Sequence, residues 1–345
     1  MFISGIGIVF TRGRGIDSFE NALKEGWRAP SWTGSLPAYR VSRETLTDAS
    51  LTKKIRRADK FTRMALFSAF DAYMNSGIIA ENNEKLGIIL STAFGPHSTT
   101  FSFIDDILDY GDANVSPTKF SNSVHNAAVS YVSSVLGSRG PTVTLAQFSF
   151  PFQNALVLAG LWLNEGRCEH VLCGCVDELN AVMEYACKMM LKTATDGKIM
   201  PFMFSPAPLS VPGEGGAFFM LSKEKCQNNY GEVTGISFSG ITNGKPDITI
   251  IDSDGMTGDE TLYRETAKST VAGYSPLFGS MLIGSAFNFA AASLILKNQL
   301  VYKCPVTDNP SGIKLCSTTS EAGIDQINCV RICGTGKIST IKMQK

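Results

Sequence analysis

Gly140-Pro141-Thr142-Val143-Thr144-Leu145-Ala146-Gln147-Phe148-Ser149, running into the apolar stretch Phe150 to Leu163, decides how this chain is read. The segment Thr142 to Ala146 predicts a short strand. The uncharged stretch behind it predicts a helix buried on all sides, with Ser149 at the turn between them. A second uncharged stretch, Ser269 to Leu296, matches the character of Gly140 to Asn164. Either is long enough for a bilayer, since about 20 apolar residues suffice. Both are rich in small and polar residues and lack flanking aromatic belts, so helices packed between sheets are expected instead of membrane spans.

Strands and helices alternate around these stretches. Met1 to Val9, Lys85 to Ser91 and Gly215 to Leu221 read as strands, and Thr62 to Met74 and Ser123 to Leu136 as helices. Tyr230 to Ser239, Ile248 to Ile251, Asn328 to Ile332 and Lys337 to Lys342 are further strands, giving an α/β layered fold. With 345 residues, zero formal charge and 44% hydrophobic content, the chain can bury a large core. Nothing in that balance argues for disorder or nucleic-acid binding. The nine cysteines are scattered, and Cys173-Gly174-Cys175 lacks zinc-knuckle spacing, so no metal site is expected. With no signal peptide at Met1-Phe2-Ile3-Ser4, reduced thiols and a cytoplasmic location are expected. The only histidines are His97, His125 and His170.

Taken in order, these segments resemble the β-ketoacyl synthases of the thiolase fold. Gly140 to Ser149 is similar to the strand that ends in the family's nucleophilic cysteine, with Ser149 at the cysteine position. Ile3-Ser4-Gly5-Ile6-Gly7 resembles the opening Val-Thr-Gly-Ile-Gly, and Lys53 to Phe61 the Arg-Arg-Met-Asp-x-Phe helix. Ser116 to Ala128 resembles the segment before the nucleophile strand. Glu165 to Glu178 resembles the Gly-Asp-Ala-Asp strand, and Pro212-Gly213-Glu214-Gly215-Gly216-Ala217 the Gly-Glu-Gly-Ala-Gly strand entry. The resemblance implies a thiolase-like fold: duplicated αβαβα layered halves, 1–225 and 226–345, with two buried central helices in one compact unit.

It also implies a catalytic set of Cys-His-His or Cys-His-Asn. The first histidine belongs to His-Gly-Thr-x-Thr-x-x-x-Asp; anchoring on Asp259 puts Ile251 at its place. The second belongs to Lys-x-x-x-Gly-His, matched by Ser275 to Ser280, so Ser280 takes its place. The glycine loop survives as Cys333-Gly334-Thr335-Gly336. A thiol ionises readily at a helix N-terminus, whereas a serine hydroxyl needs an adjacent base. Malonyl decarboxylation further needs donors for the enolate oxygen. Condensation by the usual route is not expected, and helix capping is the plainer role for Ser149. His125 is read as a relocated base or as a partly buried histidine at a subunit interface.

In ketosynthases the helix matching Lys53, Arg56 and Arg57 contacts the acidic acyl carrier protein. These three are therefore candidates for docking, against a plain solvated helix start. In heterodimeric ketosynthases the inactive partner, the chain-length factor, inserts residues across the interface at the end of the acyl tunnel. Thr99 and Phe103, one helical turn apart, match that segment; core packing is the alternative. The resemblance thus implies a ketosynthase-like subunit without its catalytic residues and without a cofactor. It is most similar to the chain-length-factor partner of an active ketosynthase in fatty-acid-like, polyene or polyketide biosynthesis. Factors of this kind often carry Gln at the cysteine position, whereas Gln147 stands two residues early. The alternatives are a Ser149-dependent acyltransferase or hydrolase acting on acyl thioesters, and a homodimeric acyl-binding scaffold. In the family Thr142 to Ala146 is a sheet edge, where dimers form.

Overall fold

The computed structural model describes residues 1–32, 34, 36–51, 53–78, 83–238, 240, 246–267 and 269–345. Ser239, the expected end of one strand, lies outside them. Two five-stranded sets repeat one plan. In the first, β1 (Phe2–Phe10), β2 (Leu86–Thr92), β3 (Thr142–Ala146), β4 (His170–Asp177) and β5 (Gly215–Ser222) lie in the order β3-β2-β4-β5-β1. The second holds β6 (Glu232–Ser237), β7 (Ile248–Ile251), β8 (Val271–Ala272), β9 (Gln326–Ile332) and β10 (Ile338–Gln344). Their order is β8-β7-β9-β10-β6.

The pairing directions repeat as well. β2 is parallel to β3 and β4, while β5 is antiparallel to β4 and β1. Likewise β7 is parallel to β8 and β9, while β10 is antiparallel to β9 and β6. The two sets meet edge to edge, where Phe2 pairs with Glu232 and the Tyr230 N–H donates to the Ile3 carbonyl at 2.8 Å.

The helices are α1 (Ile16–Glu25), α2 (Lys60–Ser76), α3 (His97–Tyr110), α4 (Pro117–Ser123), α5 (Ala127–Leu136) and α6 (Pro151–Asn164). They continue with α7 (Ala181–Met190), α8 (Glu260–Thr266) and α9 (Gly284–Asn298). Alternation along the strands sorts them into layers. On β5, Ala217, Phe219 and Leu221 face a central core shared with α6, α9 and strands of both sets. Phe218 and Met220 face outward into a core with α2 and α5. Across the molecule, Ile251, Val330 and Ile338 pack with Tyr263 of α8. The result is an αβαβα sandwich.

Gly5 and Gly7 explain how closely the first layer sits. A Cβ on Gly7 would come within 2.0 Å of the Ser68 carbonyl, so α2 lies directly on the β1 backbone. α2 starts one turn later than the basic cluster: residues 53–57 are turns, and Asp59 caps the helix by accepting from the Thr62 N–H at 2.8 Å.

The two central helices differ. Every residue of α9 from Gly284 to Leu296 is buried. α6 is buried on one side only, and Val157 and Leu161, one turn apart, are 38% and 50% exposed. Lack of charge therefore marks α9 as buried all round but not α6. Among the described residues, no helix is long and apolar enough to cross a membrane.

Candidate functional site

Ser149 sits where the sequence puts it, at the hinge between β3 and α6. The next residue, Phe150, has φ 54° and ψ 43°, a left-handed conformation costly for a bulky side chain. Its ring is buried and lies 5.7 Å from the Phe238 ring. Packing thus holds the sharp turn that leaves Ser149 exposed. Helix capping, the plainer expectation for Ser149, is not realised: the cap position is Phe150, with no side-chain capping bond. Among the described residues the Ser149 hydroxyl makes no hydrogen bond; only its carbonyl accepts, from Asn154 Nδ2 at 3.5 Å. His125 is exposed beyond the end of α4, its ring lying against Gly95, and no bond joins it to Ser149.

At the two positions matched to histidines, the surroundings are structural. Ile251 is fully buried in the outer core on β7. Ser280 is held at both ends, since its hydroxyl donates to the Asp254 carbonyl and accepts from the Val211 N–H. Behind them lies a buried ionic network. Arg331 Nη1 donates to Asp252 Oδ2 at 2.7 Å and lies 3.7 Å from Asp254. Asp252 also accepts from Ser285 and Asn288 of α9, each at 2.7 Å, and Gln153 of α6 donates to Ser285 at 3.1 Å. Burial pushes Asp254 up to about 6. Sequence reasoning missed this network. Its only sequence signal is the pair of carboxylates, Asp252 and Asp254, directly after β7.

A cavity of about 460 Å³ opens beside these positions. Its wall is largely apolar, with Phe94, Phe148, Met183, Met190 and Met281 among the lining residues. Neither Ser149 nor Ile251 is among them, whereas Ser280 and Met256 are. The Phe94 and Phe148 rings pack at 5.4 Å. Asp177 and Glu178, at the end of β4, supply its acidic groups. Asp177 accepts from Thr92 Oγ1 at 2.6 Å and from the Ala93 and Phe94 N–H groups, which fixes the loop carrying Phe94. Glu178 accepts from the Ser98 N–H at 2.8 Å. Burial pushes Asp177 up to about 6 and Glu178 up to about 7. His97 Nδ1 stands 4.0 Å from Glu178, and burial pulls the imidazole down.

The remaining candidates lie apart. Thr99 Oγ1 donates to Asp59 at 2.6 Å, and the Phe103 ring packs 5.6 Å from Phe120 of α4. Both are half-buried against their own chain, while Phe101, Ile104, Ile107 and Leu108 on the same helix are exposed. Lys53, Arg56 and Arg57 are exposed, whereas Lys60 pairs with buried Glu214 and Arg63 donates to main-chain carbonyls. Gly334, Thr335 and Gly336 form an exposed turn between β9 and β10. Among the described residues, no cluster of His, Cys, Asp or Glu could hold a metal ion.

Residues 47–197 match the family described as β-ketoacyl synthase, N-terminal domain. Among curated proteins, none matches the chain. Solved structures with the same fold include a type II polyketide synthase acyl carrier protein in complex with its ketosynthase bound to the hexaketide. That one has TM-score 0.81 and 13% identity, covering 99% of this chain and 98% of the other. The ishigamide ketosynthase/chain length factor matches with TM-score 0.78 and 13% identity, covering 100% and 98%. A β-ketoacyl synthase from Burkholderia phymatum STM815 matches with TM-score 0.79 and 14% identity, also covering 100% and 98%.

Proposed function

For a ketosynthase-fold chain whose residues 47–197 match the β-ketoacyl synthase N-terminal domain family, we propose a subunit that holds acyl chains without condensing them. The observation that carries this reading is the state of the two serines. Ser149 is exposed with no base bonded to its hydroxyl, and Ser280 is held on both sides by loop main chain. A serine hydroxyl without a base is a poor nucleophile. The apolar cavity beside them has the size and character of a ligand pocket and suits an acyl chain.

The subunit works beside an active ketosynthase, as a chain-length-factor-type partner in fatty-acid-like, polyene or polyketide biosynthesis. The open edge of β3 and the exposed apolar residues of α3 and α6 support association with another chain. An interface of obligate size, roughly 2,000 Å² or more, is expected; a second copy of this chain is the alternative occupant. Lys53, Arg56 and Arg57 receive the acyl carrier protein, and the halves 1–225 and 226–345 act as one unit.

Incubation with acyl- and malonyl-carrier protein should yield no acyl adduct by intact mass and no carbon dioxide. An adduct on Ser149 that disappears in Ser149→Ala would overturn this reading in favour of a serine-dependent acyltransferase. Reversing Lys53, Arg56 and Arg57 to Glu should weaken carrier association and flatten its salt dependence. Unchanged binding would reduce the cluster to a solvated face.

A further inference from the structure

Asp252, Asp254 and Arg331 are each no more than 4% exposed, and together they bring two carboxylates to one guanidinium. The groups packed around them add no second cation. Tyr263 of α8 donates its hydroxyl to the Asp252 carbonyl at 3.2 Å, and burial keeps that phenol neutral. Cys329 of β9 faces Asp252, and burial keeps its thiol neutral as well. Ser285 and Asn288 of α9 and Gln153 of α6 are polar without charge. With both carboxylates ionised, the cluster holds one negative charge too many, in a place where an unpaired charge is costly.

The hydrogen bonds decide which carboxylate yields. Asp252 accepts from Arg331, Ser285 and Asn288, three side-chain donors at 2.7 Å, and such donors favour the charged form. Among the described residues the Asp254 carboxylate is bonded by main-chain N–H groups, including that of Met256 at 3.0 Å, and stands 3.7 Å from Arg331 Nη1. Burial first, and then the Asp252 charge, oppose its ionised form against the pull of Arg331.

The geometry points to Asp254 as a buried proton-binding group, a pH-sensitive element in the network that joins α6, α9, β7 and β9. In mildly acidic solution its proton leaves one carboxylate to one guanidinium. As the solution turns neutral the proton passes to water, and two buried carboxylates share a single cation. The change falls directly behind the cavity wall, since Asp254 takes the Ser280 hydroxyl on its carbonyl and the Met256 N–H on its carboxylate. It does not depend on what the cavity binds. The rise from an ordinary 3.8 up to about 6 fixes the sign. The folded chain keeps a proton that the unfolded chain has lost, so this contribution favours the fold in acid and disappears as pH rises through about 6.

The test is urea unfolding of the full chain and of Asp254→Asn across pH 5 to 8. Asn has the shape of the protonated acid and does not titrate, and the other buried carboxyls, Asp177 and Glu178, are common to both proteins and cancel in the comparison. The unfolding constant of the wild type, divided by that of Asp254→Asn, should rise about tenfold from pH 5 to pH 8 and level off above about pH 7. Should Asp254→Asn fail to fold, Asp254→Ala serves the same comparison, because it also removes the titrating group. A ratio that stays flat across this range overturns the proposal, since Asp254 then holds one state throughout. A ratio that falls as pH rises overturns it too, since the fold then favours the Asp254 charge.

Discussion

The two halves share a strand order and differ at the strand that ends it. In the first half, β3 offers five exposed or half-buried residues along a free edge, and α6 behind it keeps Val157 and Leu161 open. In the second half, β8 is two buried residues long, and α9 behind it is enclosed from Gly284 to Leu296. The hinge before α6 leaves Ser149 exposed, while the corresponding end of the second half is filled by the Arg331–Asp252 network. One copy of the repeat thus ends on an open edge, and the other closes the molecule. A duplicated fold needs both, because a sheet open at each end would expose two unpaired ladders.

That contrast can be tested on stability, and the closed half should dominate. Arg331→Leu would leave Asp252 and Asp254 buried without their cation, so a loss of about 3–5 kcal/mol is expected in urea unfolding. A loss below about 1 kcal/mol would mean that the network is not the clasp it resembles. Leu294→Ala, on the enclosed α9, should cost about 3 kcal/mol through the cavity it leaves. Leu161→Ala, on the open face of α6, should change the isolated chain by about 0.5 kcal/mol or less, yet weaken association measured by sedimentation. Equal costs for Leu294→Ala and Leu161→Ala would erase the distinction between the helices.

Much of this was readable beforehand, and the gaps have physical reasons. Thr142 to Ala146 matches β3 residue for residue, and Ile248 to Ile251 matches β7, because turn residues bracket short β-rich runs. The exposed stripe of α6 was hidden, since apolar residues left on the surface read like core residues. The spacing of Thr99 and Phe103 places them on one helix face but says nothing of where that face points. In the folded chain Asp59 and Phe120 lie there. The cavity was out of reach altogether. Its wall draws on loops after β2, β3 and β4, on α7 and on residues 280–282, which meet only once both halves have closed.

The place of β1 sets a timetable for the chain. It pairs locally only with Gly13 and Arg14; its long-range ladder partners are made much later: β5, ending at Ser222, and β6, beginning at Glu232. At ribosomal speeds of about 5–20 residues per second, this largely apolar strand waits roughly 10–40 s for those partners. Hydrophobic residues such as Ile3, Ile6 and Ile8, all buried in the folded chain, lack those strand partners through that interval. Such long-range pairing slows folding, and a nascent chain stalled before residue 215 would present this segment to any chaperone at hand.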